Sequence, residues 1–155
     1  MRISMLVLFA LLALPSLIVC QQVGALKEVK KIYVDSFGTA EGADLIKEKV
    51  VNRLVKSGRV SVVENRDAAD AVLTGIGEIN KGVRYSASAG QYGGTASGGT
   101  QYDATLVVRL LGKDKQILWV DEAKPGFISH SVSSSVADKV SKNLLKAIEK
   151  ASKQK

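Results

Sequence analysis

Two sets of apolar residues at four-residue spacing bracket a block of strand-like sequence, and this pattern limits the fold more than any other in the chain. Ile46, Val50 and Leu54 form the first set, with Val51 and Val55 beside them. Val136, Val140, Leu144 and Ile148 form the second, with Ala147 and Ala151 alongside. At 100° per residue each set occupies one face of a helix, and that face needs an apolar surface to cover it. Five segments supply one: Lys31–Ser36, Val60–Glu64, Ala71–Ile79, Asp103–Leu111 and Gln116–Glu122. They are short, rich in β-branched residues and bounded by turn formers, as strands are. Ala71–Ile79 is mostly apolar and suits an interior position in the sheet. Gly112-Lys113-Asp114-Lys115 links the last two strands as an antiparallel hairpin. The order β-α-β-β-β-β-α implies a single small α/β (α+β) domain. Its expected architecture is a mixed open sheet of about five strands with both helices on one face.

Local signals refine the boundaries. Thr39 is placed to cap the first helix, with Glu41 in its first turn. Ser57-Gly58 stops that helix, Gly58 serving as a left-handed cap. Arg66–Asp70 suits one helical turn. Tyr85–Thr100 is different: five Gly, three Ser and no charge. Such a segment buries little apolar surface against its ordering entropy. It reads as a Gly/Ser/Tyr-rich loop over 85–100, or as two weak strands of an extended hairpin. Tyr85, Tyr92 and Tyr102 are three of the four tyrosines. Tyrosine on a small polar scaffold makes adaptable contact surface, so these three are the candidate partner-binding residues. The competing reading is a solvated loop that touches nothing.

The N-terminus reads as a secretory leader over residues 1–25. Arg2 supplies the positive end, Met5 to Val19 the apolar run, and Val23-Gly24-Ala25 small residues at a cleavage site. The apolar run is shorter than the ~20 residues of a spanning helix. The expected working domain is residues 26–155. Cys20 is the sole cysteine, so that domain has no disulfide. Lipidation at Cys20 is the alternative processing, and an uncleaved anchor the third. The expected location is exported, periplasmic or outer-membrane associated.

The chain holds 22 Lys and Arg against 15 Asp and Glu. Six lysines and two acids fall after Ser131, with Lys139, Lys142, Lys146, Lys150 and Lys153 along one helix face. This C-terminal basic helix offers a membrane-surface contact, against the plainer reading of a solvated face. The remainder is near balance, so nucleic acid is not an expected partner. His130 is the sole histidine, and with no second such ligand an ordinary zinc site is not expected. Gly75-Ile76-Gly77 begins like a dinucleotide fingerprint but lacks the third Gly and lies within a strand. Gly94-Thr-Ala-Ser97-Gly98 has the wrong spacing for a nucleophile elbow. No catalytic residue, cofactor or metal is expected.

Three motifs carry a resemblance: Lys31-Ile-Tyr-Val-Asp-Ser-Phe-Gly38, Leu54-Val-Lys-Ser-Gly-Arg-Val-Ser-Val-Val-Glu64 and Ala69-Asp-Ala-Val-Leu-Thr-Gly75. They resemble the opening strand, the helix-to-strand passage and the central strand of CsgG-like and TolB N-terminal-like bacterial envelope proteins. Ser36 stands where that family's first strand has proline. The resemblance implies a small α/β module for binding or assembly in the envelope, with no catalysis. Its partners would be other envelope proteins or further copies of itself. The alternatives are a ring- or pore-forming subunit of an envelope secretion complex, and an unrecognised hydrolase.

Overall fold

A computed structural model describes residues 25–90, 93–125 and 131–154. The leader, apart from Ala25, lies outside them, as do Cys20, Tyr92 and His130. The elements run β1 (Lys31–Val34), α1 (Ala43–Ser57), β2 (Ser61–Val62), a 3-10 turn (Arg66–Ala68), β3 (Ala71–Gly90), β4 (Gly93–Gly112), β5 (Ile117–Ala123) and α2 (Val132–Lys153). They form one five-stranded sheet in the order β2-β1-β3-β4-β5. β1 is parallel to β2 and β3, while β3, β4 and β5 are antiparallel. The element order, the mixed sheet and the helix placement agree with the sequence pattern, and β3 occupies the centre as its apolar content requires.

One sheet face meets both helices. Ile32, Val34, Leu73, Leu106, Val108 and Leu110 project from the strands, and Ile46, Val50, Leu54, Val136, Val140 and Leu144 from the helices, all buried. Each such side chain contributes roughly 1.5–3 kcal/mol on leaving water. The helices run parallel: Lys49 donates to Ser134 at 2.6 Å, Arg53 pairs with Asp138, and Arg59 pairs with Glu149 at 3.1 Å. Asn143 donates to Asp121 at 2.9 Å and ties α2 to β5. The opposite sheet face has no helix on it. Ile76, Val107, Ile117 and Val120 are 63, 38, 43 and 54 % exposed.

Two sequence expectations need correction. Thr39 does not cap α1 and Glu41 precedes it. The segment after β1 stays on the β3 edge, where Gly77 and Ile79 amides donate to the Phe37 and Glu41 carbonyls at 2.8 and 3.0 Å. The chain turns helical only at Gly42, with φ +79°, close against Ile79. A left-handed φ and a side chain at that distance exclude a Cβ, so glycine begins the helix where a threonine was expected. Asp44 is the acid of its first turn, and Gly58 ends it at φ 62° as expected.

The second correction concerns residues 85–100: of the loop and the extended hairpin that the sequence leaves open, the described residues form the hairpin. β3 and β4 pair without interruption from Ala71↔Gly112 to Gly90↔Gly93. Small and hydroxylated residues satisfy a ladder through their backbones, so a segment without a core of its own still extends a hairpin whose root is fixed. At that root, Gly75 brings β3 close to β4. A Cβ there would strike the Val107 carbonyl and sit 2.8 Å from Val108 Cγ1.

Asp70 fixes the start of β1. Its Oδ2 accepts from the Lys31 and Lys30 amides at 2.8 and 3.1 Å. Burial opposes its charge, but those two amides and the nearby Lys113 and Lys31 outweigh burial and hold its carboxyl below the usual range. Asp138 is lowered by the hydrogen bond from Arg53.

Gly75→Val is expected to cost about 1–3 kcal/mol through overpacking at the β3–β4 contact, read from urea unfolding. Asp70 and Asp138 have folded pKa values below their unfolded ones. The stability they add is complete above the unfolded value of about 3.9 and is lost as pH falls through the folded values. Stability is therefore expected to fall below about pH 4, with a shallower acid limb in Asp70→Ala. An unchanged limb would remove Asp70 from this account.

Candidate functional site

The hairpin outgrows the domain that carries it. β1 ends opposite Leu73, and β5 ends at Ala123 opposite Leu106. The last contacts at its root are the Ile79 amide on Glu41 and the buried Ala104. Ten pairs lie beyond, from Lys81↔Tyr102 to Gly90↔Gly93. At a rise of about 3.4 Å per residue this two-stranded ribbon is about 34 Å long. Among the described residues no strand pairs with either edge of it.

Its register sorts the sequence into two alternating sets. Val83, Tyr85, Ala87 and Ala89 pair with Thr100, Gly98, Ala96 and Gly94. Arg84, Ser86 and Ser88 pair with Gly99, Ser97 and Thr95. With Lys81↔Tyr102 at its base, the first set holds Lys81, two tyrosines and Thr100 among small apolar residues; the second holds Arg84 and Gln101 among glycine, serine and threonine. Successive strand residues alternate between faces, so each set shares one face of the ribbon.

Of the three candidate tyrosines, Tyr102 lies opposite Lys81 and is 52 % exposed. Tyr85 lies opposite Gly98 in the same alternating set, four residues further out. The ribbon therefore aligns Tyr85 and Tyr102 along one register row, about 14 Å apart along the strands. Tyr92 lies between the two strands, outside the described residues, and Cys20 is likewise outside them. The sequence allows a sheet edge and an extended hairpin here, but leaves the length and register of the ribbon open. The available signal was two-residue alternation continuing past Ile79 on one side and before Asp103 on the other.

At the far end of the sheet a shallow cleft of about 330 Å³ is lined by Arg66, Asp67, Asp70, Lys113 and Lys115, among others. Of its two carboxylates, Asp70 is occupied by backbone amides. No group of three His, Cys, Asp or Glu able to hold a metal occurs among the described residues. No helix among them is long and apolar enough to cross a membrane, a statement that does not bear on strands.

No family model matches the chain, and no curated protein matches it. Among solved structures it is similar to the PelC dodecamer from Paraburkholderia phytofirmans, at 16 % identity and TM-score 0.47, covering 79 % of this chain and 88 % of that one. It is also similar to a DUF330 protein from Xanthomonas campestris, at 14 % identity and TM-score 0.41, with coverage of 80 and 82 %. A PDZ domain protein from Parabacteroides distasonis matches at 13 % identity and TM-score 0.43, over 76 % of this chain and 31 % of that one.

Open edges make a measurable difference in backbone protection. In the isolated chain, edge amides within 81–90 and 93–103 are expected to exchange hydrogen faster than those of 71–77 and 106–111. Equal protection along the whole hairpin would mean that the ribbon is already paired.

Proposed function

We propose that this chain is an exported, non-enzymatic protein of the cell envelope, a binding and assembly module of the CsgG-like or TolB N-terminal-like type. In this reading the β3–β4 ribbon is its contact element. The supporting observation is the ribbon itself: ten pairs, two open edges and two charged residues, Lys81 and Arg84. An isolated two-stranded hairpin is marginal in water, and open edges are templates for another chain. Its exposed Tyr102 supplies contact surface. The leader pattern supports a periplasmic or outer-membrane-associated location. The reading assigns no catalytic step and no cofactor.

A second reading follows from the presence of two free edges rather than one. Edges of opposite hand allow each copy to pair on both sides, which closes a ring when the rotation closes. The chain would then be a ring- or pore-forming subunit.

Replacing Lys81–Tyr102 by a two-residue Asn-Gly turn is expected to leave the melting temperature of the domain nearly unchanged and to abolish cross-linking to envelope partners. Retained cross-linking would remove the ribbon as contact element. Sedimentation in buffer and in detergent tests the ring: a strict monomer in both excludes it. Intact mass from the native envelope reports the location, with a start at Leu26 for a cleaved leader and an acylated start at Cys20 for a lipoprotein.

A further inference from the structure

The charge excess of the domain sits on one layer. Residues 43–59 and 131–153, the two helices and their immediate flanks, hold ten Lys and Arg against four Asp and Glu. The rest of the chain after Ala25 holds eleven of each. Sheet, ribbon and loops are therefore neutral together, and the helix layer carries the whole net +6. Both of its arginines are spent between the helices, Arg53 on Asp138 and Arg59 on Glu149. Lys139, Lys142, Lys146 and Lys150 are exposed and form no ion pair among the described residues. They follow one side of α2 for about 17 Å. On α1 of the same layer, Leu45 and Val55 are 50 and 57 % exposed.

We propose that the helix layer docks on an anionic phospholipid surface, with the four α2 lysines held by headgroup phosphates and Leu45 and Val55 settled among the headgroups. The chemistry of the layer selects this occupant. Its unpaired cations are all lysines, compact point charges suited to a diffuse anionic surface, whereas both guanidinium groups, which favour bidentate recognition, are paired with acids of the other helix. Neither helix contains an aromatic residue, so there is no platform for stacked bases. Exposed aliphatic side chains among lysines gain nothing on a nucleic acid but suit the boundary between headgroups and acyl chains. The apolar face of α2 is buried in the core, so the contact is peripheral and reversible. This inference is independent of the ribbon and survives its loss.

The full chain is tested by co-sedimentation with vesicles of phosphatidylcholine alone and of phosphatidylcholine with phosphatidylglycerol. Preference for the anionic vesicles, lost as salt is raised, is expected. Each lysine near such a surface strengthens partition about fivefold, so K139Q/K142Q/K146Q/K150Q is expected to lose about 100-fold or more at low salt. Circular dichroism and melting of that variant should match the parent. K113Q/K115Q, at the far end of the sheet, should keep its binding. Equal partition to both vesicle types overturns the proposal, as does full binding by the four-lysine variant. Retention on duplex DNA or polyglutamate with no preference for anionic vesicles overturns it too.

Discussion

The uninterrupted β3–β4 ladder is the constraint on which the rest depends. Half of its twenty pairs lie within the five-stranded sheet and half outside it. The inner half supplies Leu73, Leu106, Val108 and Leu110 to the core, on which both helices pack. The outer half has no core and is held by what the inner half fixes: its register, its twist and the direction in which it leaves. A slip of one residue at the root would exchange the faces along the whole hairpin. Leu73 and Leu110 would move to the exposed side, so the buried face enforces a register that the small residues of the ribbon could not choose alone.

The fold was legible because each helix carries a complete apolar stripe and the strands are short β-branched runs bounded by turn formers. Ile46, Val50 and Leu54 lie where their period puts them, buried beneath α1, and Val136, Val140 and Leu144 do the same under α2. The start of α1 was less legible. Thr39 has the right chemistry for a cap, but the Phe37 and Glu41 carbonyls are claimed by β3, a long-range pairing with no local signature. Composition leaves the ribbon open between a loop and two weak strands, since Gly, Ser and Ala give no strand propensity. The strand continues there because pairing propagates from a fixed root. Tyr102 is exposed, while its alignment with Tyr85 depends on register and emerges only from the paired backbone.

The domain is strongly sided. One face of the sheet lies under two helices bearing the net positive charge, and the other leaves Ile76, Val107 and Val120 in solvent. The ribbon leaves from the end where Gly42 meets Ile79. Three surfaces thus face three directions, with charge, aliphatic area and open backbone edges separated from one another. A flat anionic surface on the helix layer would run alongside the ribbon, whereas anything crossed by the ribbon would lie at its tip. The two contacts can be varied independently.

The parallel course of the helices has an electrostatic consequence. Antiparallel neighbours would set opposite ends of their peptide dipoles side by side, but here like ends adjoin. The roughly half positive charges of two helix N-termini meet near the ribbon root, and the matching negative ends meet at the other side of the domain. Lys56 in the last turn of α1 and Lys150 and Lys153 in the last turn of α2 oppose that negative end. Arg53 to Asp138 and Arg59 to Glu149 bridge the pair along its length. Glu41 and Asp44 stand at the positive end as those lysines do at the negative one, so the paired dipoles are offset at both ends and the net charge of the layer is left to its exposed lysines.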